Sequence, residues 1–282
     1  VSLAVVACLP LGCSQKPTDD RPYLVRRAEF TTKLKSPGPS PQRWEREIPP
    51  AGIQEVTYPS GDLKLKAWIH VPTVEGPEKH PALVFFHGGF AFGASDMLEC
   101  KPFMDAGYVV MTPWLRGENG MPGNFETFYG ELDDAVAAVQ WLSTQPYVDR
   151  DRIYTFGHSS GGVLSAMLSL MEDVPIQHGG SSGGLYGTDL FDFVDDAMVA
   201  FDDSSPVERQ LRVLPGNVRW MNRKHYAYIG KDDGGVAGGV EQAKRELTDG
   251  DRQLEIIMLP GDHFSSYPVA MRKYLELVES GP

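Results

Sequence analysis

The run Gly157-His-Ser-Ser-Gly161 sets a serine between glycines in the pattern G-x-S-x-G. A serine hydroxyl becomes a nucleophile only when a base takes its proton and a sharp turn lifts it clear of the backbone. The pattern alone discriminates little in a chain with 30 glycines among 282 residues. Two further matches, centred on Ser181 and Ser182 in Gly179–Gly184, make the same point. Context separates them. Ser159 follows Arg152-Ile-Tyr-Thr-Phe156, which reads as a strand buried on both faces, and precedes the helical pattern Val163–Leu170. Ser181 and Ser182 run into Gly183-Gly-Leu-Tyr-Gly-Thr188, which starts no helix, so they are expected in a turn. Ser159 is the candidate nucleophile.

The elements that would carry it alternate in type. Leu63, Leu65, Ala67, Ile69 and Val71 share one face at period two, the mark of a half-buried antiparallel strand near a sheet edge. Solid apolar runs at 82–86, 108–112, 153–156, 226–229 and 254–259 read as strands buried on both sides. Between them, residues 131–142 place apolar side chains at 132, 135, 136, 139 and 142, the spacing of a helix, and 163–170, 241–247 and 268–278 resemble it. Strands alternating with helices predict an α/β fold with a mostly parallel, twisted sheet covered on both faces. No repeat of 20–50 residues recurs, so a propeller or solenoid is not expected.

The order of these features resembles the α/β-hydrolases, in particular the catalytic domain of prolyl-oligopeptidase-like serine hydrolases, over roughly residues 53–280. The resemblance rests on Phe86-His-Gly-Gly-Phe90 after a buried strand, Ala106-Gly-Tyr-Val-Val110 leading to Arg116-Gly117, the helix at 131–142, and the elbow at Ser159 with its approach Tyr147–Ile153. It implies the chain order Ser, acid, His. His263, in Leu259-Pro-Gly-Asp-His-Phe264, lies where the fold presents its base. Tyr228-Ile-Gly-Lys-Asp-Asp-Gly-Gly-Val236 offers two acids. The family pattern G-x-x-D-x-x-V aligns on Gly230, Asp233 and Val236 and favours Asp233, with Asp232 as the alternative. The oxyanion donors implied are the backbone N–H groups of Ser160 and Gly89, with His87 holding the loop. No cofactor and no metal are expected: no H-E-x-x-H or C-x-x-C occurs. The expected substrate is a short peptide or a small ester.

The composition agrees with a globular enzyme. Apolar residues are 41% and charged residues 23%, enough for a large core. A net charge of −12 offers no footprint for nucleic acid. Residues 1–12 read as a signal remnant ending at Cys13, which would be lipidated as in exported bacterial lipoproteins, with Cys8 as a poorer candidate. Membrane association would then come only through that anchor, in the periplasm or at the outer membrane. Residues 13–50 carry seven of the 22 prolines, which predicts an extended tether, with the catalytic domain at 51–282. Within it, residues 179–205 hold six aspartates and no Lys or Arg, and are expected to form a solvated excursion or a lid.

Overall fold

The computed structural model describes residues 19–73, 79–247 and 253–281. Eight strands form one sheet in the order β1-β2-β4-β3-β5-β6-β7-β8. They are β1 (Ile53–Ser60), β2 (Leu63–His70), β3 (His80–Phe86), β4 (Val109–Pro113), β5 (Val148–His158), β6 (His178–Ser182), β7 (Lys224–Gly230) and β8 (Leu254–Leu259). The β1–β2 and β2–β4 pairings are antiparallel, and every pairing from β4 to β8 is parallel. The Leu63 strand therefore lies next to one edge, as its alternation requires.

Nine α-helices are described: α1 (Tyr23–Ala28), α2 (Ala94–Glu99), α3 (Lys101–Asp105), α4 (Tyr129–Ser143), α5 (Ser160–Met167), α6 (Leu190–Phe193), α7 (Pro206–Gln210), α8 (Ala237–Glu246) and α9 (Tyr267–Ser280). They cover the sheet from both sides because its central strands are apolar on both sides. In β3, Ala82, Val84 and Phe86 join a core containing Leu132 of α4 and Val163 of α5. Leu83 and Phe85 join a second core with Met97 of α2, Phe103 of α3 and Tyr274 of α9. This is the α/β-hydrolase architecture, one mostly parallel sheet, with no propeller among the described residues.

Two expectations are corrected. Gly179–Ser182 is not a turn or the start of an excursion but β6, a fully buried central strand paired with β5 and β7. It lacks large side chains because its neighbours fill the space: a Cβ on Gly180 would lie 2.7 Å from the Tyr274 ring and 2.8 Å from that of Phe156. The rest of that stretch is only partly solvated. Phe191 and Phe201 are buried and pack edge to face at 4.9 Å, while Phe193 is exposed.

The second correction concerns the described part of the proline-rich segment, which is packed against the domain instead of extending from it as a tether. Tyr23 is buried in the first core and its hydroxyl donates to the Leu211 carbonyl. Leu34 bridges Phe201, Phe125 N–H donates to the Gly38 carbonyl, and Ala94 N–H donates to Glu47. Proline favours extended backbone but does not keep it off a surface. The signal remnant, Cys8 and Cys13 lie outside the described residues. Among the described residues no helix is long and apolar enough to cross a membrane.

Candidate active site

β5 ends at His158 and α5 begins at Ser160, so Ser159 takes the whole reversal. Its φ of 54° and ψ of −121° lie outside the regions ordinarily open to a non-glycine residue. The turn closes because two glycines let backbones meet. A Cβ on Gly157 would lie 2.1 Å from the Gly161 carbonyl oxygen, and one on Gly161 2.0 Å from that of Phe86. Strain of this kind costs on the order of 1–3 kcal/mol and persists only where surrounding structure fixes it. Here the Ser159 N–H donates to the Ser182 carbonyl at 2.9 Å, tying the elbow to β6.

The loops after β7 and β8 bring two more sequence candidates together. His263 Nδ1 donates to Asp233 Oδ2 at 2.7 Å, with the carboxylate almost wholly buried and the imidazole 19% exposed. Asp232 is exposed, so only one of the two alternative acids meets the imidazole. Donation through Nδ1 leaves Nε2 of neutral His263 with its lone pair. Gly183, at φ +61°, makes room for that ring: a Cβ there would lie 2.7 Å from His263 Nδ1. His158 braces the same loop, donating from Nε2 to the His263 carbonyl at 3.1 Å and stacking on Tyr267 at 4.4 Å. Burial draws the His158 pKa down to about 4, against that hydrogen bond, so the brace is neutral at pH 7.

Ser159 Oγ meets a residue that the sequence reading missed. The Tyr186 hydroxyl lies 3.4 Å away, and its ring is 6.3 Å from that of His263. Burial raises the Tyr186 pKa, so it remains a neutral phenol. Among the described residues Ser159 Oγ has no hydrogen bond to His263. A nucleophile–base contact commonly tightens only when substrate is bound.

The Ser160 and Gly89 N–H groups have no acceptor among the described residues. The loop bearing Gly89 is held by His87, which is buried, donates from Nδ1 to the Gly88 carbonyl, and lies 3.2 Å from Glu118 through Nε2. Burial alone would lower the His87 pKa, but the charge and hydrogen bond of Glu118, with help from Asp96, carry it up to about 9. A cleft of about 590 Å³ reaches Ser159, walled by Gly88, His158, Phe264, Tyr267 and Met271.

This fold, with such a serine at its elbow, is that of the α/β-hydrolase superfamily. More narrowly, the chain belongs to the X-Pro dipeptidyl-peptidase (S15) family, whose family model matches residues 1–177 and so includes the Gly89 loop and the Ser159 elbow. It is 27% identical over 180 residues to the uncharacterized peptidase YtmA of Bacillus subtilis, covering 63% of each chain. Among solved structures it is similar to the acylaminoacyl peptidase of Pyrococcus horikoshii, with a TM-score of 0.63 and 20% identity over 81% of this chain and 40% of that one. The Pyrobaculum calidifontis esterase is similar at a TM-score of 0.61 and 18% identity, covering 82% of this chain and 86% of the esterase. The chain thus spans under two thirds of YtmA and less than half of the archaeal peptidase.

Proposed function

We propose that the protein cleaves acyl bonds of short peptides through an acyl-enzyme on Ser159. The observation that carries this reading is the Asp233–His263 pair at 2.7 Å, set beside a serine in a strained elbow. Ser159 Oγ attacks the substrate carbonyl as its proton passes to His263 Nε2. Asp233 holds the imidazole in the required tautomer and stabilises the imidazolium that forms. The carbonyl oxygen becomes an oxyanion, met by the N–H groups of Ser160 and Gly89. His263 then gives its proton to the leaving amine. Water repeats the cycle and frees Ser159. Family membership supports a peptide substrate, and a cleft of about 590 Å³ opens beside Ser159 to receive it.

The test is a panel of aminoacyl and prolyl p-nitroanilides beside p-nitrophenyl esters. Amide turnover that disappears in Ser159→Ala is expected. Ester turnover with no amide cleavage would replace the peptidase reading with a carboxylic-ester hydrolase.

The address is a second part of the proposal. Lipidation of Cys13 would anchor the enzyme outside the cytoplasm, in the periplasm or at the outer membrane. Metabolic labelling with a lipid analogue tests this, and unlabelled protein in the cytoplasmic fraction would contradict it.

A further inference from the structure

We infer that Gln42, with Ser40 beside it, is a positioning residue for the oxyanion loop, so that the segment read from sequence as a tether belongs to the catalytic apparatus. This rests on the proposed role of the Gly89 N–H as an oxyanion donor. Gly89 sits at φ +69° between two peptide planes. The plane before it carries the donor N–H, and its oxygen, that of Gly88, accepts from His87. The plane after it is held at both polar atoms. Its carbonyl, that of Gly89, accepts from Ser160 Oγ at 2.5 Å, and its N–H, that of Phe90, donates to Gln42 Oε1 at 2.7 Å. The next carbonyl, that of Phe90, accepts from Ser40 Oγ at 2.7 Å.

A glycine loop has little intrinsic preference for one orientation of its peptides. Fixing the plane after Gly89 at both polar atoms, with the Gly88 carbonyl held by His87, restricts the loop movements that would turn the donor plane away. The Gln42 amide also lies close over Gly89: a Cβ there would be 2.9 Å from Gln42 Oε1. The clamp is itself anchored. Ser40 N–H donates to the Gly117 carbonyl at 2.9 Å, and Gln42 N–H donates to Ser40 Oγ at 3.2 Å. Oxyanion stabilisation depends on donors aimed before the charge develops, so a loosened loop lowers the rate of the covalent step without weakening encounter with the reagent.

Inactivation by a fluorophosphonate, resolved into the rate constant of the covalent step and the concentration for half-saturation, reads this directly. Gln42→Met keeps the bulk and removes the acceptor. The covalent step is expected to slow about 10- to 50-fold, short of the ~10²–10³-fold lost when a donor is deleted, with half-saturation within about twofold of wild type. Ser40→Ala is expected to slow the same step by a smaller factor. The double variant should be less impaired than the product of the two single effects, because both hold one loop. Ser40→Ala carries the test if Gln42→Met does not fold. A wild-type covalent rate in Gln42→Met, or a loss confined to half-saturation, would overturn the positioning role while leaving Ser159 as nucleophile. Failure of the wild type to react at Ser159 would overturn both.

Discussion

Two Gly–Ser runs lie on neighbouring strands of one sheet. Gly157–Gly161 ends β5 and turns at once into α5, with Ser159 at φ 54°. Gly179–Ser182 stays extended within β6, and its serines are wholly buried. Ser181 Oγ lies 2.8 Å from His225 Nε2, a pairing that superficially matches a nucleophile and its base. Yet Ser181 and His225 are both 0% exposed, so no substrate carbonyl reaches them. His225 also has no carboxylate behind it among the described residues, and burial draws its pKa down to about 3. The glycines differ in purpose as well. Those of the elbow let a strand and a helix meet backbone to backbone, whereas Gly180 admits the ring of Tyr274 and Gly183 that of His263. The motif marks where another group, backbone or ring, packs against a bare Cα; only the turn converts it into chemistry.

The largest expected effects separate the two runs. Ser159→Ala should lower kcat by at least ~10⁴-fold, because the acyl acceptor is gone, while leaving the melting temperature near that of wild type. Asp233→Asn should cost about 10⁴-fold by favouring the wrong tautomer of His263, and Asp232→Asn should stay within about twofold. Steady-state kinetics on whichever substrate the panel identifies checks both, and equal effects at 232 and 233 would count against the geometry. Gly183→Ala is expected to fall between these, with kcat down about 10²-fold, since its Cβ would press on His263 and its φ of +61° strains any other residue. Ser181→Ala should leave kcat within about threefold but cost about 1–3 kcal/mol of stability, measured by urea unfolding, because buried His225 loses its partner.

The pH dependence tests how the oxyanion loop is held. His87 has a folded pKa of about 9, raised above its ordinary value near 6.5. The stability it contributes is therefore fully present below about pH 6.5 and is lost as pH rises through about 9. Kcat and unfolding free energy should both decline across that window as the His87–Glu118 ion pair is lost. Glu118→Gln should move the decline to lower pH. An unchanged alkaline limb in that variant would assign the decline to another group.

Much of the fold could be read along the chain, because strands buried on both faces announce themselves as solid apolar runs. The 82–86, 108–112 and 153–156 runs fall in β3, in β4 and just before it, and in β5. The elbow was legible for the same reason, being flanked by a strand pattern and a helix pattern. β6 was not, because its share of the core is filled by Phe156 and Tyr274 from neighbouring elements, leaving only His, Gly and Ser on the strand itself. His263 could be placed by chain order and Asp233 by the G-x-x-D-x-x-V pattern of the resemblance, whereas the burial that separates Asp233 from exposed Asp232 leaves no mark in the sequence. Tyr186 and Gln42 gave no local signal. Each acts across a distance in sequence, 27 residues to Ser159 and 48 to Phe90, through a single polar contact. No pattern of period two or 3.6 reports such a contact.

The central claim is that the serine in the turn, and neither serine in the strand, carries the acyl group. Mapping a fluorophosphonate adduct on the folded wild-type protein by peptide mass spectrometry tests it most directly. The account predicts a single modified residue, Ser159, and no adduct in Ser159→Ala. Modification of Ser181 or Ser182 in the wild type, or persistent labelling of Ser159→Ala, would contradict it.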